Sequence, residues 1–291
     1  MPAACGPFLS RAGEGQGWFV EGDRDTPTFL NGLNLAWIRY PDFVDGAAPT
    51  AAALPTVCGA EEAMRFLVSN GGNALRVWML QEAGQSLTWR DGLVVGLAPG
   101  VLRLVQTLLE MAAHYGVRLV LVLFNGALLR GSEACSLLSD EVLPSLLSNA
   151  IAPLASALRG YESLAMWEVI NEPEGLIDKH RSEGGTPCTD ATAVQQCARA
   201  DADAAGHSPV DGIGWNAECR FDLRTVQRFV NRVAGTLRRA DAPFRPLTVG
   251  AWSYCSSASG GADDRHPSGS IDLWRADCLR EAGGDADGVL D

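Results

Sequence analysis

The sequence predicts an α/β fold of the (β/α)8 barrel class, also called the TIM barrel, and three observations lead to it. Short apolar, β-branched runs alternate along the chain with stretches of helical period, the pattern of parallel βαβ units. Residues 117–125 are almost continuously apolar, as expected of a parallel strand covered on both faces. Residues 164–171 form a similar run that stops at Pro173 with polar side chains at its carboxyl end, where α/β barrels keep their chemistry. No Gly-x-Gly-x-x-Gly follows the first apolar run, where Asn31-Gly32-Leu33-Asn34 stands instead, so a dinucleotide-binding sheet is disfavoured.

Residues 1–17 are small, polar and Gly-rich and are expected to be poorly ordered; residues 18–291 are expected to form one partial barrel domain. The first strand is expected over 29–37, a loop over 40–55, a helix over 61–68 and the second strand over 73–80. Residues 84–99, which include Trp89, read as a loop with a short hairpin. Helix 101–115 follows, with Gly116 where a helix ends in the left-handed conformation. Strand 117–125, helix 140–159 with Pro144 near its first turn, and strand 164–171 complete the better-defined part. Residues from about 175 to 221 are polar, contain three cysteines and are too long for an ordinary βα loop, so they read as an insertion. Helix 222–240 with Asp222 as N-cap, strand 246–254, helix 270–282 and the opening of a sixth strand at 288–291 end the chain.

At 291 residues, 47% hydrophobic, the chain can bury one large core. A formal charge of −12 argues against nucleic acid or an anionic membrane as partner, since both require a basic face. A neutral polysaccharide is compatible with that balance. No run of about 18 apolar residues is present, so no membrane-spanning helix is expected. The N-terminus shows no secretory signal pattern. Of the eight cysteines, Cys188, Cys197 and Cys219 cluster in the insertion, where a disulfide could hold an excursion down; disulfides and free thiols both remain open. Paired Cys-x-x-Cys units are absent, so no metal site is expected.

Period-2 alternation sets Trp167, Val169 and Asn171 on one face of their strand and Glu168, Ile170 and Glu172 on the other. A lone Glu at a strand end is more often a solvated charge than a catalytic group. Here it follows Asn171, a neutral donor suited to a sugar hydroxyl, and precedes Pro173, which stiffens the turn.

The stretch Trp167-Glu168-Val169-Ile170-Asn171-Glu172-Pro173-Glu174-Gly175 resembles the Asn-Glu-Pro signature of the retaining glycoside hydrolases of clan A, and of family 5 in particular. Asn34-Leu35-Ala36-Trp37 resembles that family's first strand, and Ala74-Leu75-Arg76-Val77-Trp78 its second. Val226-Gln227-Arg228-Phe229-Val230 and Pro246-Leu247-Thr248-Val249-Gly250-Ala251-Trp252-Ser253 resemble its endo-β-mannanase branch, so the likeness runs in order from about residue 18 to 291.

The resemblance implies Glu172 as general acid/base, Asn171 as holder of the sugar 2-hydroxyl and Arg76 as orienter of the nucleophile; a structural ion pair of Arg76 with Glu168 is the alternative. Trp37, Trp252 and Tyr254 would stack on sugar rings, with burial in the core as the alternative, and Asn125 would contact a hydroxyl or shape a turn. The partner would be a polysaccharide or oligosaccharide, with no cofactor or metal, no nucleic acid and no membrane; a monomer is expected, and the compartment stays open, an extracellular setting being suggested by the likeness and the cysteines but not by the N-terminus. In the family the nucleophile is a Glu ending strand seven. Glu183, Glu218 and Glu281 do not fall at such a place, so the chain is expected to be C-terminally incomplete, holding about six strands. The leading function is mannan endo-1,4-β-mannosidase; a non-catalytic carbohydrate-binding relic or fragment and a cellulase-like endo-β-glucanase remain as alternatives.

Overall fold

The computed structural model describes residues 9–11, 19–21, 27–36, 53–80, 86–126, 129, 131–177, 216, 218–241 and 245–250. Its centre is a five-stranded sheet in which β4 (Gly32–Leu35), β5 (Ala74–Trp78), β8 (Arg118–Asn125), β9 (Leu164–Asn171) and β10 (Leu247–Gly250) lie side by side in chain order. Every neighbouring pair is parallel. This singly wound order is that of a (β/α) barrel: each strand is followed by a crossover that returns the chain to the next position in the same direction. The expected sixth strand at 288–291 and helix 270–282 lie outside the described residues.

Helices α1 (Ala53–Ser69), α2 (Val101–Tyr115), α3 (Gly131–Ser136), α4 (Leu143–Leu146), α5 (Ala152–Leu158) and α6 (Leu223–Ala240) accompany the strands, with a π-turn at Leu147–Ile151 joining α4 to α5. Sequence chemistry explains the ends of two of them. Gly116 adopts φ 70° after α2, and its amide bonds the carbonyls of Ala112 and Ala113. Asp222 caps α6 by accepting from the Thr225 amide at 3.0 Å and the Thr225 hydroxyl at 2.8 Å. Helix α1 begins inside the stretch expected to be a loop through residue 55, because a proline in a first helical turn removes only an amide that has no helical partner.

The expected hairpin is formed by β6 (Leu87–Arg90) and β7 (Leu93–Leu97), joined by Asp91-Gly92 at φ 52° and 76°, the positive pair that a tight two-residue turn demands. Near the N-terminus, β1 (Leu9–Arg11), β2 (Phe19–Glu21) and β3 (Pro27–Thr28) form a small antiparallel sheet. Residues 9–11, inside the stretch expected to be poorly ordered, pair as β1 with β2.

The main core lies between the sheet and its helices. Leu75, Val77, Leu119, Leu121, Leu123, Trp167 and Val169 from the strands meet Met64, Leu108, Leu109, Ile151, Leu154, Phe229 and Val233 from the helices. A separate small cluster of Trp78, Val122 and Ala36 occupies the other face. Since Val77 faces the helices, alternation puts both Trp78 and Arg76 on the barrel-interior face.

Candidate active site

Arg76 is the hub of the interior face. Its Nε donates to Oε2 of Glu168 at 2.7 Å, one Nη donates to Oε1 of the same carboxylate at 2.5 Å and to Oδ1 of Asn171 at 2.7 Å, and the other Nη donates to Oδ1 of Asn34 at 2.9 Å. The guanidinium also lies 5.5 Å from the centre of the Trp78 ring. A bidentate pair of this kind compensates a carboxylate whose side chain is only 4% exposed. The ion pair of Arg76 with Glu168, weighed as the structural alternative, is thus present, and Asn171 joins it.

Strict alternation would separate Glu168 from Asn171, three positions apart, yet both reach Arg76. The register with β10 explains how: Thr248 pairs with Glu168 and Gly250 with Asn171, so three steps along β9 face two along β10. This irregularity turns the end of β9 by one residue and re-aims Asn171. Gly250 is required for the arrangement. A Cβ there would collide with Oε1 of Glu168 and stand 3.1 Å from Oδ1 of Asn171 and 3.2 Å from an Arg76 Nη.

Arg76 settles which way the Asn171 amide points, because only its oxygen can accept from a guanidinium. The Nδ2 atom is then turned elsewhere; it is buried and has no acceptor among the described residues. Asn171 as a whole is 6% exposed. A buried donor left unmet costs about 1–3 kcal/mol, a cost that an incoming acceptor recovers.

Glu172 follows at the carboxyl end of the strand, partly buried, in a left-handed backbone conformation with φ 51°. For a residue with a Cβ this costs about 1–2 kcal/mol and persists only where neighbours enforce it. They do so from three sides. The Glu172 amide donates to Gly250 O at 2.8 Å, its carbonyl accepts from Gly175 at 3.1 Å, and the same carbonyl packs on Gly126 so closely that no Cβ would fit there. Pro173 opens a single 3₁₀ turn, Pro173–Leu176, that carries the Gly175 amide back to Glu172.

Among the other expected site residues, Asn125 is buried at the end of β8, in register with Asn171, and its carbonyl accepts from Leu129. Trp37, Trp252 and Tyr254 lie outside the described residues. Sequence reasoning missed Asn34 as a partner of Arg76 and also missed Gly250 and Gly126, whose roles are close approaches invisible without the neighbouring strand. Among the described residues there is no His, Cys, Asp and Glu cluster that could hold a metal. None of their helices is long and apolar enough to cross a membrane.

The two ends of the insertion meet beside this site. Ile177 bridges Phe221, Phe221 donates to Leu176 O at 2.8 Å, and the Asn216 amide donates to Gly175 O at 2.9 Å. Cys219 is joined to Cys135 of α3, 84 positions away, rather than to a neighbour within the insertion. The disulfide holds the foot of the insertion down, as the cysteines of this region led one to expect, and its second half is Cys135 of α3, outside the cluster. Cys188 and Cys197 lie outside the described residues.

No protein-family model matches the chain. It is 29% identical over 295 residues to a mannan endo-1,4-β-mannosidase of Cryptopygus antarcticus, covering 99% of this chain and 68% of that protein. A mannan endo-1,4-β-mannosidase of Mytilus edulis is 29% identical over 268 residues, covering 90% of this chain and 65% of that protein. Among solved structures, the endo-1,4-β-mannanase of Eisenia fetida superposes with a TM-score of 0.70 at 27% identity, over 98% of this chain and 71% of that one. The chain thus spans about two thirds of the length of the relatives it matches. By sequence and by fold it is a relative of endo-β-1,4-mannanases.

Proposed function

We propose that this chain carries the proton-donating half of a retaining β-glycosidase site acting on β-1,4-linked mannan, with Glu172 as general acid/base. In such a reaction one carboxyl group protonates the departing glycosidic oxygen while a second attacks the anomeric carbon; the first then takes a proton from the water that releases the sugar. Glu172 stands at the carboxyl end of the fourth barrel strand, in an enforced backbone conformation and partly buried. Asn171 next to it would offer its amide to the sugar 2-hydroxyl, a contact that strengthens at the transition state. The observation that carries the reading is the Asn171 Nδ2: a buried donor without an acceptor among the described residues, fixed by Arg76, directly preceding Glu172.

Arg76 would keep the floor of the site ordered and electrically balanced. Glu168 is committed to it through both oxygens and is not assigned the role of nucleophile. The mannan preference rests on the relatives, all three of which are described as acting on mannan or as mannanases.

The test is hydrolysis of mannan and mannohexaose by this chain joined to the strands that complete the barrel and supply the second carboxylate, followed as reducing ends, with product configuration read by NMR. Hydrolysis with retained β-configuration that falls by at least about a hundredfold in Glu172→Gln is the expected result. Full activity in that variant would end the assignment. Calorimetry separates a carbohydrate binder, which would take up mannohexaose in wild type without turnover.

A further inference from the structure

The conformation of Glu172 is imposed by its surroundings, and two of those surroundings converge on a single residue outside the barrel strands, one on its side chain and one on its backbone amide. Asn216, at the foot of the insertion, is 1% exposed. Its Nδ2 donates to Gly126 O at 2.6 Å and to Leu129 O at 2.9 Å, while its Oδ1 accepts from the Glu218 amide at 2.9 Å and the Cys219 amide at 2.8 Å. Its own amide donates to Gly175 O at 2.9 Å. A single residue therefore grips both segments that confine Glu172. On one side is Gly126, whose amide donates to Asn171 O at 2.8 Å and whose Cα packs on the Glu172 carbonyl. On the other is Gly175, whose amide donates to that carbonyl at 3.1 Å.

Every hydrogen-bonding site of the Asn216 side chain is used, two donors and two acceptor directions, which is what a buried carboxamide needs to serve as a fixed spacer. The segment is locked in turn. Cys219 is disulfide-bonded to Cys135, and Oε2 of Glu218 accepts from the Gly131 amide at 2.6 Å. Asn216 is thus held from behind by α3 and its preceding loop, and cannot drift without breaking that anchorage.

We propose that Asn216 is a positioning residue for Glu172: bridging Gly126 and Gly175, it holds the Asn171-Glu172 backbone in the left-handed turn that sets the acid/base. The proposal builds on the assignment of Glu172 above, but the backbone coupling it describes can be measured without turnover.

The discriminating variant is Asn216→Asp. Its carboxylate still accepts from Glu218 and Cys219, so the local turn survives, whereas both donor bonds become repulsions against the carbonyls of Gly126 and Leu129. Amide hydrogen exchange followed residue by residue should accelerate about tenfold or more at Gly126, Glu172 and Gly175, with amides in the middle of α2 unchanged. Wild-type exchange rates at those three positions would overturn the proposal.

In the hydrolysis assay kcat should fall about tenfold with KM within about twofold, and the limb of the pH profile that reports Glu172 should move. An active variant with an unchanged kcat and pH profile would overturn the proposal as well. Should the form with both carboxylates release no sugar, the reading of Glu172 as acid/base fails, while the exchange result still decides whether Asn216 sets its backbone. A variant that does not fold leaves the decision to wild type in mild urea. There the amides of Gly126, Gly175 and Cys219 should open with one common denaturant dependence, and separate dependences would overturn the coupling.

Discussion

At the scale of single residues, the site is a set of constraints around one unfavourable backbone angle. Glu172 is the one described non-glycine residue outside a hairpin turn with a positive φ, and it stands where the resemblance puts the proton donor. That strain gives a test independent of catalysis. At most positions glycine is less stabilising than alanine, but at φ 51° the Cβ is the liability and the order should reverse. Glu172→Gly is expected to exceed Glu172→Ala in unfolding free energy by about 1 kcal/mol, measured by urea titration. The usual order would mean that the left-handed turn is not the resident conformation.

How far these residues could be read from sequence differs for each. Glu172 and Asn171 stand out in the sequence because Asn-Glu-Pro at the end of an apolar run is a local pattern. The joint grip of Glu168 and Asn171 on Arg76 was not legible, because alternation assumes an even strand and the irregularity against β10 depends on a partner more than seventy positions away. Asn216 gave no signal at all. A lone Asn in polar text looks like a turn former until its contacts are known.

At the scale of elements, the helices and central strands were legible because their signals are local. Strand β9 matches its apolar run at both ends, α2 stops at the glycine that sequence assigns to the cap, and α6 starts after the expected aspartate. What sequence could not supply was pairing over distance, as in Cys135 with Cys219. The Asp222 cap of α6 makes a pH-dependent prediction. Burial pushes its carboxyl upward, but the hydrogen bonds from the Thr225 hydroxyl and amide outweigh this and hold it below the ordinary value. A depressed folded pKa means that the ionised cap stabilises above the unfolded pKa and loses that contribution as pH falls through the folded one. Asp222→Ala should therefore cost about 1 kcal/mol at pH 7, a difference that shrinks below about pH 4. A pH-independent difference in urea midpoints between the two proteins would remove the charge from the argument.

At the scale of the whole molecule, the two ends of the parallel strands divide the labour. The carboxyl ends of β9 and β10 carry Asn171, Glu172 and Gly250, whereas their amino ends are pinned by a buried charge cluster. Oδ2 of Asp241 accepts from the Trp167 indole at 2.6 Å and from Nε of Arg245 at 2.6 Å. Arg245 in turn donates to the carbonyls of Tyr161, Arg159 and Leu164, closing the end of α6 onto the start of β9 and β10. Both side chains are 2% exposed, and burial pulls the Arg245 guanidinium below its usual value against the opposing pull of Asp241. Removing one partner leaves the other charged in a dry interior. Asp241→Ala should cost about 3–5 kcal/mol in urea unfolding, far more than the loss of an exposed pair. Replacing both partners, Asp241→Leu with Arg245→Met, should recover part of that cost, since the Arg245 charge is then no longer left without its carboxylate. Neither change should alter the affinity for mannohexaose where the protein remains folded, because the cluster sits at the end of the strands opposite Glu172. A double variant less stable than Asp241→Ala would show that the cluster contributes through shape and hydrogen bonding to the backbone rather than through charge balance.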